Sequence, residues 1–142
     1  MQLELGVLAE YANVTQDGKL NICGVVNAIQ APAFPILLPS LMLVLIVEIK
    51  HSELGHPQKL TVKLATEDGN TMFELTGEIQ ADAIVAKMPA GAPPARLNQI
   101  LRMGNVVIPE AGTYVVYVLI NWQEEKSLPL HVTAIAPLAG GQ

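Results

Sequence analysis

The sequence predicts an all-β protein: an antiparallel, Greek-key-like β-sandwich of about eight strands with little or no helix. Three observations carry this. Apolar residues recur with a period of two in most segments, the spacing of a strand with one buried face. Turn-forming residues punctuate those segments at even intervals. No stretch keeps the 3.6-residue apolar period of an amphipathic helix.

The first strand is read from Leu3, Leu5, Val7, Ala9 and Tyr11, which alternate with Gln2, Glu4, Gly6, Leu8 and Glu10. Asp17-Gly18 closes a tight turn, and Leu20, Ile22, Gly24 and Val26 continue on one face of the returning strand. Residues 32–39 carry Pro32, Pro35 and Pro39, which donate no ladder hydrogen bonds, so this segment is expected to cross between sheets. That crossing favours a sandwich over a closed barrel. Residues 41–50 form the next strand, apolar on both faces for seven residues. Leu60, Val62 and Leu64 mark another, and Glu67-Asp68-Gly69-Asn70 turns it into a return strand that buries Phe73, Leu75 and Ile79.

Residues 88–94 are rich in proline and small residues and are expected to be a loop, with 88–98 the most mobile interior stretch. Strands over 100–108 and 113–122 flank a corner at Pro109-Glu110-Ala111-Gly112, where proline presets φ and glycine permits the reversal. Gln123-Glu124-Glu125-Lys126 is expected to turn the chain into a last strand over 128–135. The whole is expected to be one domain over 1–137 with a flexible tail at 138–142.

Several short motifs resemble those of an uncharacterised bacterial domain-of-unknown-function family of small β-sandwich proteins. They are Tyr11-Ala12, Gly18-Lys19-Leu20-Asn21-Ile22-Cys23-Gly24-Val25 and Ala31-Pro32-Ala33-Phe34-Pro35. Further on come Gly55-His56-Pro57-Gln58-Lys59-Leu60, Glu67-Asp68-Gly69, Gly112-Thr113-Tyr114 and Lys126-Ser127-Leu128-Pro129-Leu130. The resemblance spans about residues 10 to 133. It implies a β-sandwich and a bacterial source, and carries over no catalytic or binding residue. The strand after Tyr114 departs from the family pattern, with Val115, Tyr117 and Leu119 on a second face that is usually more polar.

Composition narrows the function classes. The 142 residues are 51% hydrophobic and 15% charged, with a mean hydropathy of +0.38, which excludes intrinsic disorder. The net charge is -5 with only eight basic residues, which argues against nucleic acid and against an anionic membrane surface. The N-terminus has no basic region and Glu4 interrupts its apolar residues, so it does not read as a signal peptide. Three prolines break the most apolar stretch, 31–47, well short of the roughly 20 residues a membrane helix needs. With a single cysteine, a cytoplasmic location is expected.

The chemistry-bearing residues are scattered. His51, His56 and His131 match no metal-ligand spacing, and Asp17, Asp68 and Asp82 lie in separate segments, so no metal and no cofactor are expected. Cys23 sits mid-strand without a basic neighbour, the setting of a packing residue rather than a nucleophile. Glu74 and Glu78 read as the wet face of an amphipathic strand rather than a glycosidase pair. An enzyme is therefore not expected.

Apolar surface is in surplus. Leu41, Leu43, Leu45 and Val47 have Met42, Val44 and Ile46 behind them; Tyr114, Val116, Val118 and Ile120 have Val115, Tyr117 and Leu119. Contiguous apolar patches mark partner sites, so Val44, Ile46, Val115, Tyr117 and Leu119 are expected to form one interface. The competing expectation is that 32–39 or 88–98 covers them. The reading is a non-catalytic interaction module that self-associates as a homodimer or larger homo-oligomer, with an unidentified protein as a second partner. The alternative is a small-ligand or carbohydrate-binding sandwich, for which Trp122, Tyr114, Tyr117 and Tyr11 supply few aromatics.

Overall fold

The computed structural model describes residues 1–38, 40–53, 56–79, 91 and 93–135. Among them are eleven strands: β1 (Gln2–Val14), β2 (Leu20–Val25), β3 (Ala28–Ala31), β4 (Ile36–Leu37), β5 (Leu41–Ile49), β6 (Gln58–Thr66), β7 (Thr71–Ile79), β8 (Ala95–Met103), β9 (Val107–Ile108), β10 (Gly112–Ile120) and β11 (Gln123–Ala134). One 3-10 turn, His51–Glu53, is the only helical element among the described residues. A four-stranded sheet in the order β2-β1-β5-β8 faces a five-stranded sheet in the order β3-β11-β10-β6-β7, and β4 and β9 form a short ribbon. The all-β sandwich expected from periodicity is present. It has eleven strands rather than about eight because β3, β4 and β9 are two to four residues long, too short to show a period. All pairings are antiparallel except β3 with β11, which is parallel.

The core lies between the sheets. Leu43, Leu45 and Val47 of β5 meet Val62 and Leu64 of β6, Val116 and Val118 of β10, and Leu130 and Val132 of β11 in one cluster. These residues alternate along their strands, so each strand contributes one face to a shared dry layer. In β1 Leu8 lies in the main core and Leu3 packs against it, whereas Val7 and Ala9 belong to the cluster on the other side of the sheet, the register shifting between Leu3 and Leu5. The alternation predicted the strand, and the irregularity after Leu3 reversed which of its faces meets the main core from there on.

The turn chemistry is as read at three places. Gly18 (φ 88°) and Gly69 (φ 94°) hold positive φ at the β1–β2 and β6–β7 turns. Next to Gly18, Thr15 donates from its hydroxyl to the Asp17 carboxylate and Lys19 pairs with it at 3.3 Å. Both hold the Asp17 carboxyl below its ordinary range. At the corner before β10, the Tyr114 hydroxyl donates to the Glu110 carbonyl at 2.7 Å, clamping the turn to the core.

The last hairpin departs from expectation. Its turn is Asn121-Trp122, not 123–126, and β11 begins at Gln123. Both turn residues have positive φ, 52° and 69°. Two-residue hairpin loops of this kind favour Asn-Gly, because their twist matches that of the strands. The acidic run reads as a turn from charge alone, yet it belongs to a strand that is exposed along its first half. Trp122 occupies the glycine position and is 59% exposed, so it offsets little of the backbone cost by packing. Trp122→Gly is expected to raise the unfolding free energy by about 1 kcal/mol. Urea denaturation checks this, and an unchanged or lower midpoint would mean that the indole packs more than its exposure implies.

The expected mobile stretch 88–98 falls partly outside the described residues. Its end, from Ala95, is a regular part of β8 paired with β5. The expected tail, 138–142, lies outside the described residues.

Candidate interaction surface

Both strands singled out as apolar on two faces are so, but they lie in different sheets. β5 is central in the four-stranded sheet and β10 is central in the five-stranded sheet. Their second faces therefore point away from one another on opposite sides of the sandwich. Val44 and Ile46 do not share a patch with Val115, Tyr117 and Leu119. One face carrying all five is excluded by topology, which strand periodicity does not report.

The outer face of β5 is roofed by the chain itself. Val44 (0% exposed), Met42, Ala9 and Ala12 form a second hydrophobic cluster, joined by Val7, Leu20, Ile22 and Ile100. Ala9 and Ala12 are three residues apart, so strict alternation would set them on opposite faces. The hairpin twists between them, where Gly24 (φ 70°) packs against the Glu10 side chain. Beyond that point the distal half of the β1–β2 hairpin lies across β5 and β8. The Ala12 amide meets the Met42 sulfur at 3.2 Å, and Asn98 of β8 donates to the Gly18 carbonyl at 3.5 Å. β1 thus touches β8 although β5 separates them in the sheet. The hairpin covers β5, and residues 39, 88–90 and 92 of the two segments expected to do so lie outside the described residues. Ile46, beside Leu5 and Asn98 in register, is half-buried at the margin of this cluster.

The outer face of the five-stranded sheet is different. Val115, Tyr117 and Leu119 run along β10, half-buried. On one side β6 sets Ala65, Lys63 and Thr61 beside them; on the other β11 sets Pro129, Ser127 and Glu124. Tyr117, Leu119, Lys63 and Glu124 border a shallow hollow that reaches Gly69 and Thr71 at the β6–β7 turn. The face is an apolar ridge flanked by a few polar side chains. No described segment crosses it as the hairpin crosses β5.

The other candidate chemistry stays dispersed. Cys23 is exposed and lies opposite Tyr11. His131 meets the Thr113 hydroxyl at 3.2 Å, and His51 and His56 are both exposed near the start of β6. Among the described residues, no three of His, Cys, Asp and Glu stand close enough to hold a metal ion together. Glu4 pairs with Arg96 at 2.9 Å, and a hydrogen bond to Glu4 raises the Glu48 carboxyl above its ordinary range. Between β7 and β8 the sheets part into an apolar cleft of about 150 Å³ lined by Leu60, Val62, Leu75, Ile79, Gln99 and Leu101. That is below the roughly 300 Å³ at which small-molecule pockets begin, whereas an open hollow of about 520 Å³ lies beside Leu37, Ser40, Arg102 and Asn105. No described helix is long and apolar enough to cross a membrane.

Comparison with known proteins gives a family and a distant structural likeness. The model of a family of unknown function, DUF6941, matches residues 4–133. No curated protein matches. Among solved structures, the Pseudomonas fluorescens alkylpurine DNA glycosylase AlkC bound to DNA containing an abasic site analog is 17% identical, with a TM-score of 0.37. The match covers 91% of this chain and 30% of that one, so the chain spans less than a third of the length of that protein. That structure is DNA-bound, and the exclusion of nucleic acid read from composition is withdrawn. Net charge is a sum over the chain and sets no bound on any one patch of its surface. A likeness this distant carries no argument about what the present chain binds.

Proposed function

The chain belongs to DUF6941, a family of unknown function, and from that premise we propose that it is a non-catalytic interaction module that self-associates through the outer face of its five-stranded sheet. The observation behind this reading is the contrast between the two strands that are apolar on both faces. The chain roofs the second face of β5 with its own hairpin, whereas Val115, Tyr117 and Leu119 on β10 have no such roof among the described residues. A closed two-fold pair buries the same ridge on both copies and ends the assembly there. The module is a homodimer in this reading, and its setting is the bacterial cytoplasm.

With three half-buried apolar side chains at its centre, the contact is expected to have a dissociation constant in the micromolar range. Light scattering at tens of micromolar should report a dimer. Tyr117→Glu sets a charge in the centre of the contact and should yield folded monomer, with a dissociation constant raised at least a hundredfold. Tyr11→Glu, at an exposed position on the other sheet, should leave the dimer intact. A monomeric wild-type protein at these concentrations would sink the proposal.

A further inference from the structure

We propose that the two copies pair about a two-fold axis running parallel to β10, so that Lys63 of each copy meets Glu124 of the other. This rests on the reading that the outer face of the five-stranded sheet binds a second copy. The strand order across that face is β6-β10-β11. Lys63 stands beside Tyr117 on the β6 side, and Glu124 stands beside Leu119 on the β11 side. The two charges thus flank one apolar ridge from opposite sides, and both border its hollow.

A two-fold axis that lays such a face against itself lies in the plane of the contact, and its limiting directions are across and along the strands. An axis perpendicular to the strands through Tyr117 lays β6 on β6 and sets Lys63 over Lys63, with Glu74, its cross-strand neighbour on β7, over Glu74. Like charges would then meet in a partly dry contact, which disfavours that arrangement. An axis parallel to the strands lays the β6 of one copy over the β11 of the other at the same level. Lys63 then lies over Ser127, one outward-facing position from Glu124, a step of about 7 Å along the strand. A flexible lysine stem can span that step. Every such dimer makes the contact twice, because the interface is isologous. Within one copy Lys63 faces Glu74, so formation of the dimer offers the ammonium a second carboxylate rather than leaving it alone.

Charge exchange tests the arrangement. Sedimentation equilibrium would be run on wild type, Lys63→Glu, Glu124→Lys and the double variant. Each single change is expected to weaken the dimer at least tenfold, and the double variant to return within about threefold of wild type. Lys63 is half-buried and Glu124 exposed, and circular dichroism confirms that each of the three variants is folded. A dimer that Tyr117→Glu dissociates but that the double variant fails to restore would overturn the axis and leave the interface standing. A wild-type monomer would instead remove the interface on which the axis rests.

Discussion

Leu43→Ala is expected to lower the unfolding free energy by about 3 kcal/mol, a large part of the roughly 5–15 kcal/mol a single domain has. Leu43 is fully buried in the layer between the sheets, in one cluster with Leu64, Val116 and Leu130. Removing three carbons there forfeits their transfer from water and leaves a cavity that β-sheets, pinned by their hydrogen-bond ladders, close poorly. Because the lost contacts belong to both sheets, unfolding should stay cooperative. Urea denaturation should show a lower midpoint with an unchanged slope. A loss below about 1 kcal/mol would mean that the core relaxes around the gap.

Val44→Asp should act differently, although Val44 is the next residue and equally buried. Its neighbours are Ala9, Ala12 and Met42, and the distal β1–β2 hairpin forms the roof. A carboxylate held under that roof without a partner would cost several kcal/mol. The protein can avoid the cost by letting the hairpin lift and admitting water, since β1 pairs with β5 only as far as Ala9 and the distal half rests on β5 and β8 through side chains. Hydrogen exchange should therefore show amides of 12–22 losing protection by about a hundredfold or more, while β6 and β10 keep theirs. Uniform loss of protection across both sheets would show that the hairpin and the sandwich are one cooperative unit.

Much of the fold was legible because its signals are local. Alternation over β6, the apolar runs of β5 and β10, glycine at positive φ in two turns and the corner before β10 each depend on residues close in sequence. The turn at Asn121-Trp122 was misplaced because tryptophan stands where glycine normally signals the reversal, and the acidic run after it looks solvent-seeking. β3, β4 and β9 were missed because their partners, not their own residues, make them strands.

The candidate surface divides at the same boundary. The residue pattern by itself determined that β5 and β10 are each apolar on two sides, for a strand displays its faces in its own alternation. Only the tertiary structure decided that those faces lie on opposite sides of the sandwich, and that one is roofed while the other is not. Sheet membership depends on which strands pair across long separations, as Val44 does with Val7 and Ile100. The roof depends on a twist at Glu10 and Gly24 that carries residues 12–22 back over a sheet edge. Neither is written into a single strand, because both arise from the packing of segments distant in sequence.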